Sequence, residues 1–440
     1  MEKIYYGEET KKALRNFPFS VYKVHKEFLM ALVQIKKAAA TANFLAGKIS
    51  RDVKIAIIKA CEEILEGKLK GQFPLKAVQG GAGTSTNMNV NEVIANRATE
   101  ILQKQGRKTI VHPNDHVNCS QSTNDANPSA IKIAAFALIQ DLAKALGELI
   151  NAFESKAKEF KNIPKLARTH LQDAIPTTLG AEFLAYADSI KGHKKNLEQV
   201  IVYTQILNLG GTAIGNSMNA GQKYVSVVYK ELNKNLKGKF KPAENLMSKT
   251  GSQGDFLIIS QAVTAALADI SKIANDLKLL SSGPRGGFGE ITLPELQKGS
   301  SIMPGKVNPV MPELVNQLYF IVSGNNLTIE HCVQAAQLEL GVMFPAIADR
   351  LLQSIKLSTE VLNQFTKTCI QRIRANKTRC KQLLDASTAY ATLLVPKLGY
   401  DAVSDAVKES IKSNKGFKEI ILEKKLLTNK EFEALTKAKI

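Results

Sequence analysis

Residues 129–142, Ser-Ala-Ile-Lys-Ile-Ala-Ala-Phe-Ala-Leu-Ile-Gln-Asp-Leu, carry the pattern that decides the fold. Apolar side chains recur there at a spacing that places them on one side of an α-helix: Ile131, Ala134, Ala135, Leu138 and Leu142. Five long stretches show such periodicity: 129–161, 179–208, 255–281, 309–336 and 344–373. The alternation of strand and helix that a parallel sheet needs is missing. The pattern therefore predicts an all-α, mainly helical protein built around a long-helix bundle whose broad apolar faces pack against other subunits.

The residue composition and the apolar periodicity change twice along the 440 residues, and this length suits two or three domains. Residues 1–122 mix short helices with Gly- and Asn-rich turns. Residues 123–378 contain the long apolar stretches, and residues 379–440 suggest two or three modest helices around Pro396 and Gly399. We predict an N-terminal helical domain, a central long-helix domain and a small C-terminal helical domain with these bounds.

The formal net charge is +19, which raises the question of a nucleic-acid partner. The lysines are scattered, and the two densest clusters, 234–241 and 412–425, lack the interleaved aromatic residues on which bases stack. We therefore interpret the charge as a lysine-rich surface that could attract an anionic substrate, and we expect no nucleic-acid partner.

Cysteine usage and apolar runs indicate the compartment. Five cysteines form no CxxC pair, which argues against a disulfide framework and against a zinc site. The first residues are charged and do not resemble a signal peptide. The longest apolar runs, near 256–268 and 320–327, look too short or too polar to cross a membrane. We expect a reduced, cytoplasmic protein without a metal site or a membrane partner.

Two polar loops combine hydroxyls with amides, and either could hold a carboxylate. The first, Gly83–Asn89, contains three consecutive hydroxyl residues, and the second spans Ser120–Asp125. Such residues also commonly cap helices, here helices that would begin near Asn91 and Pro128. Two clusters in one chain shift the balance toward function.

A third loop, Ala167–Asp173, places His170 between two predicted helices, where an acid–base or orienting role and a structural role both remain open. The fourth loop, residues 299–313, combines hydroxyls, glycines, prolines, an amide and Lys306 in fifteen positions. Asn308 before Pro309 predicts an N-cap for a helix over 309–336. The helix N-terminus and the lysine together predict an anion site.

Most other catalytic chemistries lack their motifs. The sequence has no GxGxxG after a strand, no Walker lysine loop and no GxSxG elbow.

These loops together resemble the aspartase/fumarase superfamily over nearly the whole chain. The Gly-Ser-Ser-x-x-Pro-x-Lys-x-Asn core beginning at Gly299 is similar to the signature of that superfamily. The ammonia-lyase branch is favoured over class II fumarase by Val310-Met311-Pro312-Glu313, by Leu171, by Pro294–Gln297 and by Ser85–Asn87. Departures from the family pattern are Gly341, where relatives usually have Asn, Asn216-Ser217-Met218, and a divergent C-terminal domain.

The resemblance implies reversible elimination of ammonia from L-aspartate to give fumarate, through an aci-carboxylate intermediate. It implies Ser300 as the base, a serine whose alkoxide must be stabilised by nearby donors in a closed site. It also implies that Lys306 and Asn308 bind the α-carboxylate and that Asn124 contacts the amino group. The expected ligands of the β-carboxylate are Thr86, Ser122, Thr123 and Ser301, while Thr169 and His170 line the site and Glu313 pairs with His170.

The resemblance further implies a homotetramer with a twenty-helix core and active sites that are each shared by three subunits. No cofactor is required, and a divalent cation such as Mg would act as an activator only. Two alternatives remain open at this stage: a class II fumarase or another fumarate-forming lyase, and a structural or binding protein that retains the fold.

Overall fold

The computed structural model describes residues 3–437, which are mainly α-helical. Residues 1–2 and 438–440, the outer ends of the first and third predicted domains, lie outside the described residues. The helices of the first half are α1 Glu8–Asn16, α2 Lys26–Leu45, α3 Arg51–Leu65, α4 Thr84–Lys104, α5 Thr123–Glu159, α6 Leu179–Val200, α7 Val202–Gln205 and α8 Gln222–Leu236. Those of the second half are α9 Leu246–Gly251, α10 Gly254–Leu280, α11 Val310–Gln334, α12 Phe344–Thr368, α13 Lys377–Ala386, α14 Ala391–Leu398, α15 Tyr400–Ser413, α16 Phe417–Glu423 and α17 Asn429–Lys437.

Three small two-stranded sheets accompany the helices within residues 3–437. Strands β1 Pro164–Thr169 and β2 Gln172–Thr178 form an antiparallel hairpin. Strands β3 Ile206–Leu207 and β4 Lys241–Pro242 pair in parallel, while β5 Ile291–Thr292 and β6 Arg374–Ala375 pair antiparallel. The mainly helical fold class is confirmed.

The five predicted long helices are present as α5, α6, α10, α11 and α12. Four of them agree with the predicted bounds to within about six residues at each end, the usual uncertainty of terminal turns included. The second ends early, at Val200 rather than near residue 208, because Ile206 and Leu207 leave the helix to pair with Lys241 and Pro242.

The chain divides into two compact units. Unit 1 consists of Met1–Ala143, Lys195–Ala265 and Phe320–Thr359, and unit 2 consists of Lys144–Lys194, Ala266–Tyr319 and Glu360–Ile440. Each of the five long helices contributes residues to both units. The division into three consecutive domains stays a prediction.

In unit 1, the core lies between α2, α3, α4 and α8. Helix α2 packs against α3 and α8, and α3 packs against α4. Leu32, Ile57 and Ile94, one from each of the first three helices, are fully buried there. This packing fixes the first turn of α4, which carries one of the two hydroxyl clusters.

In unit 2, the β1–β2 hairpin packs against α13. Phe153, Phe160 and Phe183 form an aromatic cluster, with 5.2 Å between the ring centres of the last two. The C-terminal segment contains five short helices, α13–α17, rather than the two or three predicted. Gly399 and Asn414, both with positive φ, separate helices there that the sequence pattern did not resolve.

Helix α10 is long and apolar enough to cross a membrane on length and composition alone, which corrects the expectation that no apolar run reaches that length. Just over half of its most apolar window is buried inside the protein, as in a core helix. All five cysteines are free, as the sequence pattern predicted.

Candidate active site

The first hydroxyl cluster lies in a helix rather than in a loop. Helix α4 begins at Thr84, not near Asn91, and its N-cap residue, Gly83, makes no side-chain capping bond. Thr86 is only 2% exposed. Its Oγ1 accepts a hydrogen bond from Gln79 Nε2 at 2.8 Å, and its backbone N–H donates to Gln79 Oε1 at 3.2 Å. The capping interpretation of this cluster is therefore wrong.

The second cluster does cap a helix, but five residues earlier than predicted. Helix α5 begins at Thr123. The Ser122 N–H donates to Asp125 Oδ1 at 2.9 Å, and Ser122 Oγ accepts from the Asn124 N–H at 3.2 Å. Ser122 is therefore the N-cap residue, and its side chain accepts from the second helical N–H. Pro128 lies inside the helix, where it has no N–H for the Asn124 carbonyl. Asn208 Nδ2 donates to that carbonyl instead, at 3.0 Å.

The two clusters meet where α4 and α5 begin. Asn87 Nδ2, in the first turn of α4, lies 3.3 Å from Thr123 Oγ1. Two helix N-termini, each with a partial positive charge, therefore lie side by side. An anion would be stabilised at this position.

The hydroxyl hydrogens at this junction remain available to a ligand. Thr86, Ser122 and Thr123 each accept a hydrogen bond from a protein N–H, and none of the three hydroxyls donates to another described residue. Three O–H donors are thus left without an acceptor among the described residues. Asn124 differs, because its Nδ2 donates to the Ala213 carbonyl at 2.8 Å and leaves Oδ1 to accept from a cation such as an ammonium group.

Asp125 has a structural role that the sequence analysis missed. It is fully buried and accepts from the Gly210 N–H at 2.9 Å and the Thr212 N–H at 3.0 Å, so it ties that loop to the start of α5. Burial raises its pKa to about 6, although these backbone hydrogen bonds favour the ionised form. In the sequence, only the Gly211-Thr212 motif, in the loop that Asp125 contacts, could have indicated this interaction.

His170 lies at the tip of a β-hairpin, which corrects the prediction of a loop between helices. Thr169 pairs with Gln172, so His170 and Leu171 form a two-residue turn, with φ values of 55° and 61°. Neither residue is glycine, and positive φ costs such residues about 1–3 kcal/mol each. The tip is exposed, with Leu171 62% accessible. A strained, exposed turn that carries a histidine indicates a functional site.

A buried carboxylate anchors the base of this hairpin. Glu290 is fully buried, and its Oε2 lies 3.1 Å from Arg168 Nη1 and 3.3 Å from Lys165 Nζ. Both cations belong to β1, the strand that ends at Thr169. Sequence reasoning missed Glu290 because nothing local relates it to the hairpin, 122 residues away.

The loop of residues 299–309 is held by its own polar groups. Ser300 Oγ accepts from the N–H groups of Ile302 at 3.2 Å and Met303 at 3.0 Å. Asn308 Nδ2 donates to the Gly299 carbonyl at 2.7 Å, so it closes the loop. A side chain at Gly299 would collide with the Lys306 carbonyl, so only glycine fits there.

Asn308 does not cap α11, contrary to the prediction. The helix begins at Val310, and the Pro309 carbonyl accepts the first helical bond, from the Glu313 N–H at 3.1 Å. The loop remains largely open to solvent, with Ile302 83% exposed. Among residues 3–437, no carboxylate forms an ion pair with Lys306. Its ammonium is therefore available to an external anion.

The predicted site residues fall into both units. Thr86, Ser122, Thr123 and Asn124 belong to unit 1, whereas Thr169, His170, Ser300, Ser301, Lys306, Asn308 and Glu313 belong to unit 2. Within one chain, His170 and Glu313 form no ion pair in the described part, so their pairing stays a prediction. Among residues 3–437, no group of three or more His, Cys, Asp or Glu side chains could hold a metal ion.

Comparison with known proteins identifies the family of this chain. A family model described as "Lyase" matches residues 2–324, and one described as "Fumarase C C-terminus" matches residues 391–439. This chain belongs to the aspartase/fumarase superfamily of lyases. Aspartate ammonia-lyase of Bacillus subtilis is 42% identical over 433 residues, which cover 98% of this chain and 91% of the relative.

Two solved structures of this superfamily are also similar. The crystal structure of fumarate lyase:delta crystallin from Brucella melitensis bound to cobalt has a TM-score of 0.94 and 40% identity, and the match covers 99% of this chain and 95% of that one. Recombinant class II fumarase from Schistosoma mansoni has a TM-score of 0.93 and 33% identity, with the same coverage.

Proposed function

We propose that this lyase is an aspartate ammonia-lyase, a carbon–nitrogen lyase that eliminates ammonia reversibly from L-aspartate to give fumarate. The observation that carries the proposal is the environment of Ser300, whose Oγ accepts two backbone N–H bonds in an open Gly/Pro loop beside Lys306. Donors placed in this way stabilise an alkoxide, which makes a serine a competent base. The 42% identity with an aspartate ammonia-lyase, against 33% with a class II fumarase, favours ammonia over water as the leaving group.

In the proposed mechanism, the Ser300 alkoxide takes a proton from Cβ of L-aspartate. The electron pair moves into the β-carboxylate and gives the doubly charged aci form. Thr86, Ser122, Thr123 and Ser301 donate hydrogen bonds to it, and these bonds strengthen as its charge grows, which lowers the barrier rather than merely binding substrate. Collapse of the aci form creates the double bond and expels ammonia from Cα.

The remaining residues orient the substrate. Lys306 and Asn308 bind the α-carboxylate, and Asn124 Oδ1 accepts from the substrate ammonium because its Nδ2 is held by Ala213. Thr169 and His170 line the site, with Glu313 as the partner of His170. Closure of the Gly/Pro loop over the substrate would exclude water and strengthen these interactions.

We propose a homotetramer in which three subunits share each active site. The support is exposed apolar surface: on α11, Phe320 is 63% and Leu327 53% exposed, and the hairpin tip exposes Leu171. Burying such side chains in a subunit interface is favourable, by about 25 cal/mol per Å² of apolar surface. We further propose that the protein is cytoplasmic and needs no cofactor, and that a divalent cation such as Mg acts only as an activator.

One experiment tests the reaction. The protein is incubated with fumarate in the presence and absence of ammonium, and the loss of fumarate absorbance is followed. We expect consumption only with ammonium, and the release of fumarate from L-aspartate in the reverse assay. Consumption without ammonium would identify a fumarase, and no turnover in any direction would favour a structural protein with this fold.

A further inference from the structure

Lys36 on α2 is a buried lysine whose hydrogen-bond acceptors are two neutral amides. It is fully buried, and its Nζ donates to Asn118 Oδ1 at 2.8 Å and to Gln121 Oε1 at 3.0 Å. No carboxylate of residues 3–437 lies within ion-pair distance of it. An ammonium without a counter-ion is costly to bury.

The other buried lysines in the described part of the chain are paired. Lys132 lies 2.6 Å from Asp255, Lys156 lies 2.8 Å from Glu159, and Lys165 lies 2.8 Å from Glu182. Lys36 therefore differs from the other buried lysines of residues 3–437, because it forms no direct ion pair. A buried ammonium that lacks a direct ion pair can respond to an anion that binds nearby.

The hydrogen bonds of Lys36 lead to the two hydroxyl clusters. Asn118 Oδ1 also accepts from Asn87 Nδ2 at 3.2 Å, and the same Nδ2 lies 3.3 Å from Thr123 Oγ1. Gln121 directly precedes Ser122. One ammonium thus contacts the amides that place the first turn of α4 and the start of α5.

We propose that Lys36 is a positioning residue of the elimination site, a buried cation that orients both hydroxyl clusters and favours the doubly charged form of the bound β-carboxylate. This inference rests on the proposed function. Lys36 acts through Asn118, Asn87 and Gln121 and does not touch the substrate. Its unpaired charge is balanced when the intermediate gains its second negative charge.

The electrostatics of the site agree with this role. Burial lowers the pKa of Lys36 to about 7, while the negative charge of Asp125 opposes that shift. A dianion bound at the helix N-termini would act in the same direction as Asp125 and retain the proton.

The test compares a ligand that resembles the substrate with one that resembles the intermediate. Succinate has an ordinary carboxylate, whereas the ionised nitronate of 3-nitropropionate has a planar group with two negative oxygens, as the aci form has. Binding of each is measured by inhibition of L-aspartate deamination. We expect Lys36→Met to weaken nitronate binding and to lower kcat by similar factors, at least about tenfold, while succinate binding and KM change less than about threefold.

Two further variants separate charge from structure. Lys37→Met removes the same formal charge from the neighbouring position, where Lys37 pairs with Glu62 at 2.9 Å, and should leave both inhibitors unaffected. Asn118→Asp keeps Lys36 but gives it a counter-ion of nearly the same shape. This variant should also lose nitronate affinity relative to succinate, and it keeps the proposal testable if Lys36→Met does not fold.

The inference fails if Asn118→Asp, or a folded Lys36→Met, binds nitronate and succinate in the wild-type ratio. A loss of affinity by the same factor for both ligands would also contradict it, because that result is expected of a purely structural lysine. These results leave the proposed function intact as long as the wild-type protein is active. A wild-type protein that neither releases fumarate from L-aspartate nor consumes it with ammonium overturns both proposals.

Discussion

Replacing Ser300 by alanine tests the most specific part of the mechanism. The change removes the proposed base, and general base catalysis contributes about 10²–10⁴ in rate, equivalent to about 3–5 kcal/mol of barrier. We expect kcat to fall by at least this factor, because no other hydroxyl shares the N–H groups of Ile302 and Met303 as an acceptor in the described structure.

Stability should barely change in the same variant. The only contacts that Ser300 Oγ is seen to make are two N–H bonds in an exposed loop, and water can replace an acceptor there. Substitutions at such surface positions usually stay within about 0.5 kcal/mol. Oligomeric state by light scattering and the melting temperature should therefore match those of the wild-type protein.

The assay is the initial rate of fumarate formation from L-aspartate at saturating substrate. Ser301→Ala is the matched control, because it removes one of four hydroxyl donors and should cost about 1.5–3 kcal/mol. Turnover by Ser300→Ala above about 5% of wild type would refute the base assignment, since a group worth 10² or more cannot leave so much activity.

Four further predictions follow from the geometry. Lys306→Ala should lower kcat/KM by a factor that corresponds to about 2–4 kcal/mol of transition-state free energy, because the ammonium that binds the α-carboxylate is removed. Steady-state kinetics measures this change. Gly341→Ala should destabilise the protein by about 1–3 kcal/mol in urea unfolding, because the added Cβ would collide with the buried Gln253 side chain and lie 2.8 Å from its Nε2. Asp125→Asn should cost less stability at pH 7 than at pH 4, and the two costs should differ by about 2–3 kcal/mol. The pKa of Asp125 is raised in the folded state, so between pH 4 and pH 7 the folded wild-type protein binds more protons than the unfolded chain. The stability of the wild-type protein therefore falls as the pH rises, and the variant, which lacks this group, does not lose it. Leu327→Asp should dissociate the tetramer in light scattering, because it places a charge on the exposed apolar surface of α11.

Each of these has its own control. Gln253→Ala should restore most of the lost stability when it is combined with Gly341→Ala, and additive losses would contradict the expected collision. For Asp125, equal losses at both pH values would show that its carboxyl does not titrate abnormally. An unchanged mass for Leu327→Asp would remove this surface from the proposed interface, while unaltered kinetics for Lys306→Ala would exclude it from the substrate site.

The sequence predicted the long helices because their signal is repeated over many turns. The stripe that begins at Ile131 extends through enough residues for the period to be unambiguous. Short elements were less predictable. The hairpin at 164–178 was missed because its turn is His170-Leu171, with no Asn or Gly, the residues that mark such turns.

Helix starts were misplaced where distant residues complete them. Thr84–Asn89 has the composition of a loop, yet Gln79 and the packing of α4 against α3 hold it as a helix. Pro128 suggested a helix start, but Asn208, eighty-four residues beyond Asn124, takes the carbonyl that the proline leaves without a donor. Tertiary contacts of this kind leave no local signal.

The candidate site shows the same division. The hydroxyl-bearing and charged side chains proposed to meet substrate were recognisable by type and by clustering in the sequence. Lys36, Asp125 and Glu290 were not assigned roles, because their importance lies in burial and in partners far along the chain. Sequence therefore indicated the groups that face the ligand better than the groups that hold them.

The hairpin tip also has a consequence for protein engineering. Asn-Gly at positions 170 and 171 would suit the two positive φ values far better than His-Leu, and a designer seeking a more heat-resistant enzyme would choose this turn first. The same exchange would remove the histidine and the exposed leucine from the tip. Thermostable variants of this chain should therefore be sought by substitutions outside this turn, where the reaction is proposed to need the histidine.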